Sequence, residues 1–353
     1  MNKISTLSLS FAFVGGFLGA GYISGQELYQ FFGAFGIPGF VGLFLAITIL
    51  VVFNIIIAKI VRHTGSDMID KTVVGSDNKF LLFSVGALES VVFFGTYIVM
   101  AAGAGALIQN ITGIQNAYIW GSFIFCTIIS ILSIKGIPGL IKIFSTAVPI
   151  LVVLTLFVGT VTVMHNIDNG FNFEISSHFN PLIPNWVLGA VTFASYNLIC
   201  AIGVLCPVGI RSKSIKSATL GTILGGIFLI IVALSVLLSL AVMPEARNES
   251  LPMLAVAKSL SDGFMYVYAF LLLIAMSGAS LASLIPTVTY ISEYSKKANA
   301  HQSILTFSLS AIAFIFSCFG FAGLVGTLFS SFGYISLIGM AGLIRHYLKI
   351  QKK

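Results

Sequence analysis

The chain alternates between apolar runs that are each long enough to cross a lipid bilayer and short polar segments that hold most of its charge. A membrane-crossing helix needs about 20 mostly apolar residues, because the hydrocarbon core is about 30 Å thick. Only 8% of the 353 residues are charged, whereas a water-soluble domain has about a quarter. We therefore predict an all-α membrane protein, most of whose surface is solvated by lipid.

The apolar runs predict ten transmembrane helices. With the N-terminus on the cytoplasmic side, every Lys and Arg except Arg247 and Lys258 falls in a segment on that side. An excess of Lys and Arg marks the cytoplasmic face of membrane proteins. We predict a multi-pass protein of the cell (inner) membrane with both termini in the cytoplasm. The predicted spans are residues 7–34, 38–61, 80–109, 117–134, 138–164, 186–210, 217–242, 263–292, 302–319 and 325–347.

The sequence contains no pattern typical of an enzyme, a cofactor protein or a nucleic-acid-binding protein. No nucleophile–base constellation and no phosphate-binding loop occur, and the net charge of +7 is spread over short loops. The first apolar run is too long for a secretory signal peptide and lacks its cleavage site. Thiols within apolar runs behave as small apolar side chains, so we predict neither a disulfide nor a transition-metal site. The cysteines are Cys126, Cys200, Cys206 and Cys318.

The first five and the last five predicted spans follow the same order of long and short segments. We predict two five-helix repeats, 1–164 and 186–353, joined by the outside connection 165–185. Because five is odd, the second repeat crosses the membrane in the opposite sense, as in many secondary transporters. A second long outside connection, 243–262, contains the stretch 251–260, which is amphipathic enough for a short surface helix. The two outside connections are either plain solvated loops or a lid over an outer vestibule.

The first span of each repeat contains a cluster of small and polar residues. Span one has Gly15-Gly16 and Gly19-Ala20-Gly21, and span six has Ser195-Tyr196-Asn197. Interrupted helices in matching positions of two halves indicate a binding site formed by unwound main chain. We predict that helices 1 and 6 are broken, although glycines in membrane helices also serve close packing.

Two acidic residues lie inside predicted spans, where an acid costs about 2.5–3.5 kcal/mol at mid-bilayer. Glu27 follows the predicted break in span one and is suited to bind a substrate ammonium group or to lie at the vestibule mouth. Glu89 shares a face of span three with Thr96 and Tyr97, and a gating role, a proton-linked role and an ion pair all stay open. Each acid can instead be a hydrogen-bonded structural group.

Span eight carries hydroxyl groups at helical spacing. Ser277, Ser280 and Ser283 are three residues apart and share one helix face. With carbonyls released by a break in span one, they would form an oxygen cage for a monovalent cation. The alternative is that each hydroxyl bonds to the preceding turn of its own helix.

The stretch Gly19-Ala20-Gly21-Tyr22-Ile23-Ser24-Gly25-Gln26-Glu27 resembles the signature of the YkvI-type amino acid permeases. This family is grouped with the amino acid–polyamine–organocation superfamily, whose LeuT-type fold has five plus five helices with helices 1 and 6 broken. The resemblance covers the whole chain in the number and order of spans, but only span one has a specific motif. It implies that the break in span one holds a substrate carboxylate, and that carbonyls near Gly15 and Leu18 and the Ser277–Ser280 stretch hold sodium. Leu281 stands where many sodium-coupled members have a second hydroxyl, so the coupling ion stays open between Na+ and H+.

These observations predict a cation-coupled symporter of a small polar solute, with an amino acid as the first candidate. An uncoupled transporter or exchanger of the same fold, and a membrane sensor or scaffold without transport, are the alternatives. The expected partners are a small-molecule substrate and the lipid bilayer, with homo-oligomer formation open. Candidate substrate-binding residues are Gly19, Ala20, Gly21, Tyr22, Ser24, Gln26, Glu27, Tyr97, Ser195, Tyr196 and Asn197; candidate cation-binding residues are Gly15, Leu18, Ser277, Ser280 and Ser283; Glu89 is the candidate gating or proton-linked residue.

Overall fold

The computed structural model describes residues 5–65, 69–76, 78–114, 116–135, 140–176 and 180–352. For residues 20, 69–70, 140–146, 169 and 204 it describes the main chain alone. The regular elements of these residues are all helical, as the sequence predicts. Short 3-10 turns at Gly33–Phe35, Ile167–Asn169 and Pro244–Asn248 lie in connections between longer helices.

Sixteen α-helices are present in the described part of the chain. Those of the first half are α1 (Thr6–Phe17), α2 (Ala20–Ser24), α3 (Gln26–Phe31), α4 (Ile37–Thr64), α5 (Ile69–Val74), α6 (Lys79–Thr112), α7 (Ala117–Lys135) and α8 (Leu140–Asn166). Those of the second half are α9 (Trp186–Arg211), α10 (Ile215–Val242), α11 (Pro252–Leu260), α12 (Asp262–Tyr294), α13 (Lys296–Ala300), α14 (Gln302–Ser317), α15 (Phe321–Leu324) and α16 (Ser330–Gln351). A π-helical segment, Val325–Phe329, joins α15 to α16.

Eight helical segments of the described residues are long and apolar enough to cross a membrane. They correspond to predicted spans two to eight and ten. The other two predicted spans contain shorter apolar helices, Thr6–Phe17 and Gln302–Ser317. Span one falls short because its helix is interrupted, so length and composition confirm eight of the ten predicted spans directly.

The long helices pack as two groups. In the first, α4 packs against α9 and α10, and α1 packs against the same two helices. In the second, α6 packs against α7, α12 and α14. A hydrogen bond of 2.6 Å from Asn54 Nδ2 to Thr222 Oγ1 joins α4 to α10 within the first group. Interhelical bonds of this kind hold polar side chains inside membrane proteins. We call these groups the bundle (α1, α4, α9, α10) and the scaffold (α6, α7, α12, α14).

The amphipathic stretch 251–260 forms a helix, as predicted, but its apolar side is buried. Met253, Leu254 and Val256 of α11 are buried, and α11 packs on α12, α8 and α2. The Cγ of Met253 would lie 3.2 Å from a Cβ added to Gly25. This helix therefore covers the first span at the end remote from the chain termini.

The break predicted for helix 6 is absent. α9 is helical from Trp186 to Arg211 and passes through the predicted break without interruption. In the predicted break Asn197 Nδ2 donates to the Phe193 carbonyl at 3.1 Å, and one turn earlier Thr192 Oγ1 donates to the Leu188 carbonyl at 2.6 Å. Polar side chains inside a continuous helix often bond to the preceding turn in this way.

Candidate functional site at the broken first span

The first span is interrupted twice. α1 ends at Phe17, and Gly19 is extended (φ −76°, ψ 168°) where it caps α2, so the main chain leaves the helical path at Leu18 and Gly19. A second joint follows at Gly25, whose φ of 85° lies in the left-handed region that favours glycine. The break predicted for helix 1 is therefore confirmed.

Glu27 folds back from α3 towards this break and is 4% exposed. Its Oε1 accepts hydrogen bonds from the Tyr196 hydroxyl and, at 3.2 Å, from Asn197 Nδ2. Its Oε2 lies beside Gly21, and a Cβ added to this glycine would be 2.6 Å from it. The structure thus brings together four of the predicted substrate-binding residues from spans one and six.

An aromatic cluster surrounds this polar group. The rings of Tyr196 and Phe329 are stacked with centroids 4.9 Å apart, and Phe193 packs edge-on against Tyr196 at 5.9 Å. Phe329 ends the π-helical segment, and one of its ring carbons would lie 3.5 Å from a Cβ added to Gly21. π-helical turns are frequent at functional sites. Span ten therefore contributes to a site that the sequence assigned to spans one, three and six.

The remaining predicted residues near the break have different surroundings. Tyr22 donates to the Leu229 carbonyl of α10 at 2.7 Å, and Ser24 donates to the Gly21 carbonyl at 3.0 Å, so both stabilise the interrupted span. Gln26 Oε1 and Ser195 Oγ are buried and have no hydrogen-bond partner within the described residues. Buried polar atoms of this kind are costly when unpaired. The side chain of Ala20 lies outside the described part of the structure.

Tyr97 does not reach the break, contrary to the prediction. Its hydroxyl donates to Ser310 Oγ on α14 at 3.0 Å, inside the scaffold. The neighbouring Thr96 faces α9 instead, with its Oγ1 3.8 Å from Cys200 Sγ. Adjacent residues of an α-helix point about 100° apart because there are 3.6 residues per turn. Thr96 and Tyr97 therefore face different helices, and the prediction that both lie on one inward face was wrong.

The predicted cation cage is not assembled. Ser277 and Ser280 donate to carbonyls one turn earlier in α12, each at 2.8 Å, which is the alternative that the sequence left open. Ser283 is buried on the same helix. α12 contacts the first span mainly through α2. A Cβ added to Gly15 would meet no atom within 4 Å, and Leu18 caps α1. A cation role for these five residues stays a prediction.

Glu89 is buried in α6 and 6% exposed. The carbonyl of the next residue, Ser90, accepts a hydrogen bond of 3.5 Å from Thr287 on α12. Glu89 therefore lies on a scaffold helix where α6 packs against α12, whereas Glu27 lies at the break. A gating or proton-linked role for Glu89 stays a prediction.

Two polar residues that the sequence did not single out join the first span and the connection 165–185 to span ten. Gln30 Nε2 donates to the Ala322 carbonyl at 2.9 Å. Asn180 Nδ2 donates to the Gly326 carbonyl at 2.7 Å and to Ser330 Oγ at 3.0 Å. The spaced glycines at the start of span ten were the available signal for this irregular segment.

No family model matches the chain. It is 28% identical over 283 residues to YkvI, an uncharacterized membrane protein of Bacillus subtilis (strain 168), and the match covers 77% of this chain and 76% of YkvI.

Solved structures show the same fold at low sequence identity. A manganese transporter of Eremococcus coleocola superposes with a TM-score of 0.63 at 14% identity, covering 96% of this chain and 78% of that one. MhsT in complex with L-phenylalanine gives a TM-score of 0.63 at 18% identity, covering 96% of this chain and 88% of that one. The chain is therefore a membrane protein of the LeuT-type fold, and its resemblance to YkvI extends over most of its length.

Proposed function

We propose that the protein is a secondary active transporter that carries a small polar solute together with a cation by alternating access. An amino acid is the first candidate for the solute. The observation that carries this proposal is the interrupted first span, whose break lies beside the buried carboxylate of Glu27. Irregular main chain and an acid at membrane depth are both costly, and are tolerated where they line a cavity or bind a ligand.

The helix packing supports alternating access. α1 packs on the bundle helices α9 and α10, whereas α2 packs mainly on α12 of the scaffold and on α11. The break therefore lies where the two groups meet. A relative movement of bundle and scaffold would change the surroundings of Glu27 and Gly21, which is what a carrier needs to expose one site to each side in turn.

The side chains around Glu27 support a small organic solute. Carboxylate, amide and hydroxyl groups lie beside aromatic rings around Glu27, a combination suited to a small organic molecule with polar and apolar parts. MhsT, which shares the fold, was solved with L-phenylalanine bound. Within the described residues no three or more His, Cys, Asp and Glu side chains form a group able to hold a metal ion.

The test is uptake by the purified protein in liposomes. Radiolabelled amino acids would be offered separately under an inward sodium gradient, an inward proton gradient and no gradient. The proposal expects accumulation of at least one amino acid above its external concentration under one of the two gradients. Glu27→Ala should abolish it, because this variant removes the acid at the break.

The alternatives predict other results in the same liposomes. An exchanger would move labelled solute only against unlabelled solute on the other side, with equal rates in all three gradients. A sensor or scaffold would move none, and either result would refute the coupled transporter.

A further inference from the structure

Glu27 is a buried acid without a cationic partner. Within the described residues the Glu27 side chain makes two hydrogen bonds and no salt bridge. Both hydrogen bonds end on Oε1 and come from uncharged groups, the Tyr196 hydroxyl and the Asn197 amide. A carboxylate removed from water costs several kcal/mol unless an opposite charge or a proton compensates it.

The groups around Glu27 do not supply that positive charge. On the elements that pack against α3, the titratable and charged side chains are Tyr22 on α2, Tyr196, Cys200, Cys206 and Arg211 on α9, and Lys216 on α10. Arg211 and Lys216 stand at the ends of their helices, and Arg211 is about 22 Å along α9 from Tyr196 at 1.5 Å per residue.

Arg247 approaches α3 from another side and is already engaged. Its guanidinium lies over the ring of Tyr29 at 5.8 Å. It also donates to the Leu240 carbonyl at 2.7 Å and to the Asn172 carbonyl at 2.6 Å. The remaining positive charge for Glu27 must therefore come from solution.

The hydrogen bonds of Glu27 suit a proton better than a metal ion. Within the described residues its carboxylate is bonded by the Tyr196 hydroxyl and the Asn197 amide, both on Oε1, while Oε2 lies beside Gly21. A sodium or other hard cation needs several oxygen ligands, as Ca²⁺ and Mg²⁺ do. A proton needs one oxygen, and it leaves Oε1 able to accept from Tyr196 and Asn197.

We infer that Glu27 is the proton-binding residue of this carrier and that H+ is the coupling ion. This rests on the proposed function. One proton adds to the Glu27 carboxylate from the side where the site is open, the neutral carboxylic acid is enclosed between spans one and six, and the proton leaves as the site opens on the other side. The hydrogen bonds of Glu27 to α9 join this step to the packing of the bundle.

The first measurement uses protons alone as the probe. Infrared difference spectra of the purified protein between acidic and alkaline buffer should contain the C=O stretching band of a buried carboxylic acid. Glu27→Gln should remove this band, whereas Glu89→Gln, which changes the other buried acid, should retain it. A wild-type spectrum without the band, or a band that is lost only in Glu89→Gln, overturns the inference and leaves the proposed function standing.

The second measurement is transport in sodium-free liposomes with the amino acid that the uptake screen identifies. An inward proton gradient should drive accumulation by the wild type and by Glu293→Gln, a variant of an exposed acid at the end of α12. Glu27→Gln should accumulate at least tenfold less, yet keep solute exchange at a rate independent of pH.

Each other outcome has a separate meaning. Loss of solute binding in Glu27→Gln would make Glu27 the partner of the substrate ammonium group and overturn the inference. Proton-driven accumulation that persists in Glu27→Gln would also overturn it. If the wild type moves no amino acid under any gradient, the proposed function falls, and the inference falls with it.

Discussion

Gly21 leaves the space that the Glu27 carboxylate occupies. In Gly21→Ala the new Cβ would stand 2.6 Å from Oε2. Because Oε2 ends a flexible side chain, we expect the fold to persist while Glu27 is displaced from Tyr196 and Asn197. The added methyl group also narrows the break where we propose that the solute binds, so solute binding should weaken at least tenfold, about 1.4 kcal/mol, as measured by a thermal-shift titration.

The matched control for Gly21→Ala is Gly323→Ala. A Cβ added to Gly323 in α15 meets no atom within 4 Å. This variant should bind solute as the wild type does. Equal binding by both variants would show that the space beside Gly21 is unimportant for the site.

Some residues of the site could be predicted from the sequence and others could not. Glu27 was identified because an acid inside an apolar run is costly, and that cost is visible without a structure. Tyr97 was misassigned because sharing a helix face with Glu89 does not say which neighbour that face meets. Phe329 was missed, since one more aromatic residue in an apolar run carries no signal of its own.

At the scale of elements, Gly25 joins two short helices under α11. Gly25→Ala would impose a left-handed residue with a Cβ, at about 1–2 kcal/mol, and would press on Met253 and Val236, each 3.2 Å from that Cβ. We expect a lower unfolding temperature and a slower transport cycle.

Gly113→Ala separates strain from packing. Gly113 is in the left-handed region like Gly25, with φ 67° and ψ 6°, but an added Cβ there meets no atom within 4 Å. It should show the strain alone, so its unfolding temperature should fall less than that of Gly25→Ala. Equal losses in thermal unfolding experiments would mean that the close packing of Met253 and Val236 on Gly25 contributes nothing.

The helices themselves were largely predictable, and their interruptions only in part. Long apolar runs gave helix positions within a few residues, because lipid demands closed main-chain hydrogen bonding. The glycines of span one correctly indicated a break. The same interpretation failed for span six, where Asn197 and Thr192 bond to the preceding turn. Whether a polar side chain opens or supports a helix depends on its rotamer, which composition does not reveal.

At the scale of the whole molecule, the bundle and the scaffold meet at Thr96 and Cys200, with Thr96 Oγ1 and Cys200 Sγ 3.8 Å apart. Thr96→Cys should form a disulfide with Cys200 on oxidation, since a disulfide brings sulfur atoms to about 2.05 Å. The bond would tie α6 to α9. We expect oxidation to abolish uptake in liposomes and reductant to restore it.

The control removes the second thiol. Thr96→Cys combined with Cys200→Ala should transport equally before and after oxidation. If the cross-linked protein kept full activity, the two groups would not need to move apart at this point, contrary to the proposed mechanism.

The orientation in the membrane, predicted from the basic residues, can be tested through Cys318. This thiol is exposed and follows α14, at the predicted outer end of span nine. In intact cells a membrane-impermeant maleimide should label the protein, and Cys318→Ser should abolish labelling. Labelling that requires permeabilised cells would place both termini outside.

α1 and α2 are consecutive in the chain, but α1 packs mainly on the bundle, whereas α2 packs mainly on α12 of the scaffold and on α11. Any relative movement of the bundle and the scaffold must therefore be taken up by changes in the main-chain torsion angles around Leu18 and Gly19. In the proposed mechanism, these torsion angles change whenever the site passes from one side of the membrane to the other. A small molecule that bound to this segment and fixed its torsion angles would hold the protein in one state, whichever solute it carries.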